Sequence, residues 1–138
     1  MLKVDVEHPD FAVSEIGTSL ALIKGVVDYF KRSGKKVGGF SACMTSNVPK
    51  GSGVSSSSSF ELAIAEILNV FYNDSSLDPV FKAKASQYAE NTFFGKPCGL
   101  MDQSAIALGG VDFIDFASFD EPIIEKAHWN FDDLDIYV

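Results

Sequence analysis

The chain has 138 residues, of which 46% are hydrophobic, so it is long enough to bury one core and does not belong to the disordered class. Its 11 basic and 19 acidic residues give a net charge of -8, which excludes a typical nucleic-acid binder, because such proteins depend on clustered Lys and Arg. Cys43 and Cys98 form no CxxC pair, and neither shares a metal-ligand spacing with His8 or His128. We therefore expect reduced thiols and no zinc site.

The chain shows neither a leader pattern at its start nor the roughly eighteen consecutive apolar residues that a membrane span requires. The expectation is a cytoplasmic protein with no membrane partner.

Hydrophobic residues at steps of three and four predict a first helix over residues 14–32, with Ser14 as its N-cap. Looser alternation predicts a strand over residues 37–48, closed by Pro49. A second helical period starts at Phe60. The pair Asp78-Pro79 then opens a third helix that should run to about Glu90 or Phe93.

A short fourth helix over residues 101–108 should stop at Gly109-Gly110. Three strands are predicted after it, at residues 111–116, 122–125 and 134–138. The sequence ends inside the last of these, which indicates a piece of a longer protein. We expect residues 1–138 to form a single α+β domain with a mixed sheet and helices packed on one side of it.

Residues 49–59, PKGSGVSSSSS, combine glycines with a run of five serines. Composition alone also fits a flexible linker. The position between a predicted strand and a predicted helix favours an anion site, because glycines let the backbone approach a phosphate and the helix N-terminus attracts it. The loop is not a Walker A motif, because Lys50 precedes Gly51 instead of following the last glycine.

Two carboxylates, Glu90 and Asp102, each lie beside a predicted helix break. Taken singly, either could be a solvated residue at a helix end. Phosphoryl transfer, however, needs a cation held against the phosphates and a group that positions or deprotonates the acceptor hydroxyl. Two carboxylates that meet at one loop could divide these tasks.

Residues 49–61 resemble the Pro-x-Gly-x-Gly-Leu-Ser-Ser-Ser-Ala-Ser motif of the galactokinase, homoserine kinase, mevalonate kinase and phosphomevalonate kinase superfamily, with Val54 and Ser58 as departures. Residues 90–103, ENTFFGKPCGLMDQ, narrow the resemblance to the galactokinase family. The resemblance implies an incomplete N-terminal domain like ribosomal protein S5 domain 2, without the C-terminal domain.

The resemblance also assigns roles to individual residues. It implies that Glu90 and Ser57 hold Mg²⁺, that Gly99 lies against the sugar, and that Asp102 contacts the sugar and acts as catalytic base. The residues that it places on the triphosphate of ATP are Gly51, Gly53, Ser55, Ser56, Ser57 and Ser58.

The function implied is ATP-dependent phosphorylation of galactose at its anomeric hydroxyl. The N-terminal sugar-binding signature and the glycine-rich C-terminal motif of galactokinases are not found in this sequence, so we expect the chain alone to be inactive. Two alternatives stay open: a non-catalytic sugar and nucleotide sensor, or a sister kinase acting on N-acetylgalactosamine, mevalonate or homoserine. We expect a monomeric parent, with a risk that unpaired strand edges make the fragment self-associate.

Overall fold

The computed structural model describes residues 2–49, 53–118 and 121–128. These residues contain four α-helices, a 3₁₀ turn, a π-helical turn and a two-stranded sheet, which confirms the α+β class. In chain order the elements are a 3₁₀ turn Val13–Glu15, α1 Ser19–Arg32, α2 Ser56–Tyr72, α3 Pro79–Tyr88, a π-helical turn Ala89–Phe94 that continues α3, α4 Met101–Leu108, β1 Val111–Asp115 and β2 Ile123–Ala127.

Helix α1 starts later than predicted, and its N-cap is Thr18 rather than Ser14. Gly17 adopts a left-handed conformation with φ 78°, which separates the 3₁₀ turn from the helix. The Thr18 side chain then accepts a hydrogen bond from the Ala21 amide at 3.3 Å. The helix ends at Arg32, and the basic residues Lys31 and Arg32 in its last turn lie at the negative end of its dipole.

The predicted strand at residues 37–48 is wrong, because this segment is irregular and pairs with no strand of the described chain. Side chains from the end of α2 hold its beginning instead. The Asn73 amide bonds to both backbone groups of Lys36, at 3.1 and 2.9 Å, and the Tyr72 hydroxyl donates to the Gly39 carbonyl at 2.5 Å. Gly38 lies close against the Tyr72 ring, since a Cβ there would lie 2.4 Å from Cε1.

The hydrophobic core lies between helices rather than between helices and a sheet. Gly25 allows α1 to approach the π-helical turn closely, because a Cβ at this position would lie 2.6 Å from the Ala89 Cα. Burying each large apolar side chain of this core stabilises the fold by about 1.5–3 kcal/mol. Its buried members are Val26, Val27, Phe30, Ile64, Ala65, Leu68, Ala85 and Ala89.

The described residues contain a single sheet, in which β1 and β2 pair antiparallel from Val111 opposite Ala127 to Asp115 opposite Ile123. The predicted mixed sheet backing the helices is therefore absent from them. The third predicted strand, residues 134–138, lies outside the described part of the chain. Within that part, no helix combines the length and apolar character needed to cross a bilayer.

Candidate active site

The N-terminus of α2 begins directly after the glycine and serine loop, and its geometry is described from Gly53 onward. Gly53 and Ser55 both have positive φ, 81° and 58°, so the chain turns sharply into the helix. The Ser55 side chain makes no capping bond, and the first α2 backbone bond runs from the Ser59 amide to the Ser55 carbonyl. The amides of residues 56–58 therefore have no acceptor within the helix, and together with the positive end of its dipole they form an anion-binding surface.

Ser55 uses its hydroxyl on a carboxylate instead of on the helix. Its Oγ donates to Asp102 Oδ2 at 2.5 Å, which joins the start of α2 to the first turn of α4. A left-handed conformation costs a residue with a Cβ about 1–2 kcal/mol, and such strain concentrates at functional sites. Asp102 itself is exposed, so a small molecule can reach it.

Glu90 lies deeper, in the π-helical turn, and is only 2% exposed. Ser57 Oγ donates to its Oε1 at 2.8 Å, and Gln103 Nε2 donates to its Oε2 at 3.0 Å. Both donors stabilise the carboxylate, and they come from α2 and α4. Glu90 is therefore fixed in orientation at the meeting point of three helical segments.

The loop between the π-helical turn and α4 is clamped by amide side chains. Asn91 Oδ1 accepts from the Cys98 backbone amide at 2.7 Å, and the side-chain amides of Asn91 and Gln87 both donate to the Cys98 carbonyl at 3.3 Å. This clamp sets where α4 begins, and with it the position of Asp102. Burial and the nearby Glu90 raise the pKa of the Cys98 thiol to about 12, which disfavours the thiolate that nucleophilic attack requires.

The structure brings together several of the residues that the sequence singled out. Gly53 and Ser55 lie just before α2. Ser57 is hydrogen-bonded to Glu90, and Ser55 to Asp102. Ser56 is half-buried in the first turn of α2, whereas Ser58 is 2% exposed, so its hydroxyl faces the interior. Gly99 is exposed, and a Cβ there would meet no atom within 4 Å. Gly51 lies outside the described residues.

Two buried polar residues near Glu90 were not predicted from the sequence. Gln103 belongs to the quoted motif, but its role as a Glu90 donor follows only from the fold. Glu61 on α2 is completely buried, and burial together with repulsion from Glu90 raises its pKa to about 9. The spacing of the sequence could have indicated Glu61, because it follows Ser57 by one helical turn and so lies on the same face of α2.

The donor set fits a magnesium ion that is shared with phosphates. Mg²⁺ prefers oxygen ligands and in nucleotide sites takes one or two carboxylates or hydroxyls plus phosphate oxygens. Ser57 and Glu90 supply such a pair beside the first backbone amides of α2. The described residues contain no group of three or more His, Cys, Asp or Glu side chains that could hold a metal without further ligands.

Comparison with known proteins agrees with this geometry. Residues 21–110 match the family model described as GHMP kinases N terminal domain, so the chain belongs to that family. The matched range contains α2 to α4, all of α1 except its first two residues, and every site residue described above.

Several galactokinases are similar to this chain. The chain is 49% identical over 89 residues to the galactokinase of Clostridium tetani, covering 64% of this chain and 23% of that protein. It is 42% identical over 100 residues to the galactokinase of Pyrococcus furiosus, covering 72% of this chain and 28% of that protein. The galactokinase of Thermococcus kodakarensis is 48% identical over 89 residues, which cover 63% of this chain and 25% of that protein. The matched part of the chain thus spans about a quarter of the length of these relatives.

Proposed function

We propose that this chain carries the phosphate-binding, cation-holding and proton-accepting groups of a galactokinase, within its N-terminal ATP- and sugar-binding domain. The observation that carries the proposal is the pairing of two nearby serines at one helix N-terminus with two carboxylates, Ser55 with Asp102 and Ser57 with Glu90. Membership of the kinase family and the resemblance to galactokinases supply the reaction class.

The start of α2 is the proposed site for the triphosphate of ATP. Its first backbone amides and its dipole attract phosphate oxygens, whereas Glu90 and Asp102 repel them. A Mg²⁺ ion held by Ser57 and Glu90 would supply the positive charge that balances this repulsion and stabilises charge on the transferring phosphoryl group. Gly53, Ser55 and Ser56 are the proposed triphosphate contacts at the start of α2. Gly51 is a proposed contact on the resemblance alone. Ser58 would contribute its backbone amide, because its side chain is buried.

Asp102 is the proposed base. The anomeric oxygen of galactose forms a new bond to the γ-phosphorus while the bond between that phosphorus and the β,γ-bridging oxygen breaks, and ADP leaves. The hydroxyl proton passes to the Asp102 carboxylate. Asp102 is exposed and thus reachable by the sugar, and Gly99 leaves open space beside it.

The test is phosphoryl transfer by the full-length protein that carries this sequence, with ATP, Mg²⁺ and galactose. We expect ADP release and a sugar phosphate that has lost its reducing end, and no turnover with 1-deoxygalactose, which lacks the acceptor hydroxyl. Parallel reactions with N-acetylgalactosamine, mevalonate and homoserine separate the sister kinases. Calorimetric binding of ATP and galactose without ADP release would instead assign a sensor.

A further inference from the structure

Helix α4 directs two adjacent side chains to different parts of the site. Asp102 is exposed, whereas Gln103, the next residue, is only 1% exposed. Successive residues of a helix are rotated by about 100°, so one short helix can carry a group for the substrate and a group for the interior. Gln103 lies on the interior side, where it contacts Glu90, the proposed cation ligand.

The side-chain amide nitrogen of Gln103 has two acceptors. Nε2 donates to Glu90 Oε2 at 3.0 Å and to the Cys98 sulfur at 3.4 Å. The amide oxygen, Oε1, is buried and has no hydrogen-bond partner among the described residues. Reversing the amide would bring this oxygen against the Glu90 carboxylate, so that two acceptors would face each other. The carboxylate thus fixes the orientation of the amide.

Packing alone does not account for a glutamine at position 103. Buried polar atoms in proteins are nearly always hydrogen-bonded, and this glutamine keeps one that is not. A methionine is unbranched like glutamine and would fill a similar volume without an unpaired oxygen. What the glutamine supplies, and an apolar side chain cannot, is a hydrogen-bond donor to Glu90.

The two carboxylate oxygens of Glu90 have separate partners. Oε1 accepts from Ser57 Oγ at 2.8 Å, and Oε2 accepts from Gln103 Nε2. Ser57 is half-buried in the first turn of α2, whereas Gln103 belongs to the interior. A cation shared by Ser57 and Glu90 therefore meets Oε1, while Oε2 is held on the interior side. In this arrangement Glu90 is a ligand through one oxygen.

Coordination through one oxygen distinguishes between cations of different size. Mg²⁺ requires near-octahedral geometry at about 2.0–2.1 Å, and the two oxygens of one carboxylate lie too close together to occupy two corners of an octahedron. Ca²⁺ takes roughly six to eight oxygens at about 2.3–2.6 Å and accepts both oxygens of one carboxylate. A carboxylate that offers a single oxygen therefore suits Mg²⁺ better than Ca²⁺.

We propose that Gln103 is a positioning residue that selects Mg²⁺ over Ca²⁺: by holding Oε2 of Glu90, it leaves a single oxygen for the cation. A larger ion that needs more oxygens gains less from such a ligand. Without the amide, Glu90 is free to turn both oxygens to the cation, and the preference for Mg²⁺ shrinks. The inference rests on the proposed function to the extent that Ser57 and Glu90 hold the cation of the nucleotide.

The experiment measures ADP binding to the full-length protein by calorimetry in three solutions, which contain saturating Mg²⁺, saturating Ca²⁺ or EDTA. The wild type should bind ADP most tightly with Mg²⁺. Gln103→Met should lose roughly tenfold in affinity with Mg²⁺, as is usual when a residue that orients a metal ligand is replaced. Its affinity with Ca²⁺ should not fall. Its binding in EDTA should match the wild type, because Gln103 is buried and acts only through Glu90.

Ser104→Ala is the matched control. Ser104 follows Gln103 on α4, is equally buried at 1% exposure, and its hydroxyl has no partner among the described residues. Removal of this hydroxyl should leave the ADP affinity unchanged in all three solutions. Thermal unfolding of each variant, measured alongside, separates a loss of stability from a changed preference between the two ions.

The inference is overturned if Gln103→Met keeps the wild-type ratio of the affinities with Mg²⁺ and Ca²⁺, or if the wild type itself does not prefer Mg²⁺. Should Gln103→Met fail to fold, infrared difference spectra of the wild type decide. Mg²⁺ should move the carboxylate stretching bands of Glu90, identified by their loss in Glu90→Gln, farther apart, as coordination through one oxygen does. Bands drawn together would overturn the inference.

Failure of the proposed function gives different results. A wild type whose ADP binding is the same in all three solutions refutes the proposed cation site, and the inference with it. A wild type that prefers Mg²⁺ in this measurement but does not phosphorylate galactose refutes the proposed reaction alone.

Discussion

The two carboxylates of the site occupy opposite environments. Glu90 is buried between three helical segments and accepts hydrogen bonds from Ser57 and Gln103, whereas Asp102 is exposed and accepts one from Ser55. A carboxylate held by two donors keeps its orientation and suits a cation that must sit in one place. An exposed carboxylate can meet a substrate hydroxyl and later release its proton to water. The two proposed tasks therefore differ because the fold buries one carboxylate and exposes the other, not because the side chains differ in chemistry.

Asp102→Asn should have the largest effect. The amide keeps the size of the side chain but cannot take a proton, so kcat of the full-length protein with galactose should fall about a thousandfold. Mg²⁺ and ADP binding, measured by calorimetry, should stay normal. Asp74→Asn, a change at an exposed residue of the α2–α3 connection, is the control. A loss of less than tenfold in Asp102→Asn would show that Asp102 is not the base.

Glu90→Gln should lower turnover about a hundredfold at a Mg²⁺ concentration that saturates the wild type, because the cation that stabilises the transferring phosphoryl group is held less well. Raising Mg²⁺ should restore part of the lost rate. Steady-state rates over a Mg²⁺ series would check this, and Asp102→Asn should show no such recovery. If both variants respond equally to Mg²⁺, the division of tasks between the two carboxylates is wrong.

Ser55 links the exposed carboxylate to the helix, so its replacement tests a smaller contribution. Ser55→Ala and Ser55→Gly both remove the hydroxyl, and each should lower kcat roughly tenfold, which is less than the roughly hundredfold or more that a positioned acid or base contributes. They should differ in stability, because glycine adopts the left-handed conformation freely; Ser55→Gly should be about 1 kcal/mol more stable than Ser55→Ala. Denaturant unfolding measures the difference, and equal stabilities would contradict strain at Ser55.

The buried side of the site should make stability depend on pH. Burial raises the pKa of Glu61 from its ordinary 4.5 to about 9, so the folded protein keeps a proton that the unfolded chain releases. Stability should therefore fall as pH rises between these two values, by at most roughly 1.4 kcal/mol per pH unit. Denaturant midpoints at pH 5 and pH 8 should differ less in Glu61→Gln than in the wild type. Equal pH dependence in both proteins would count against this.

Local patterns in the sequence predicted the helices well, because each needs only its own hydrophobic period and terminal residues. Helix α4 has the predicted bounds, and α3 starts at the predicted Pro79. The prediction of a strand at residues 37–48 was wrong for the opposite reason. A strand needs a partner elsewhere in the chain, and the alternation of its own residues says nothing about that partner.

The candidate site could likewise be predicted only in part from the sequence. Family motifs pointed to Glu90 and Asp102, and physical reasoning gave them separate tasks, but neither indicated which serine each would meet. Glu61 was missed because a glutamate in a helix is usually solvated, and its burial depends on how α2 packs on α3. Asn91 and Gln87 were missed likewise, since their shared acceptor, the Cys98 carbonyl, is set by the path of a loop.

The geometry of the site depends on the number of residues in the π-helical turn Ala89–Phe94. A π turn closes over one residue more than an α turn, and each residue of a helix rotates the chain by about 100°. Deleting one residue from this turn would carry Asn91 away from Cys98, or else swing Glu90 away from Ser57. Insertions and deletions should therefore be rarer here than amino-acid exchanges when relatives are aligned. The expected pattern is that of a spacer, whose length matters more than its composition.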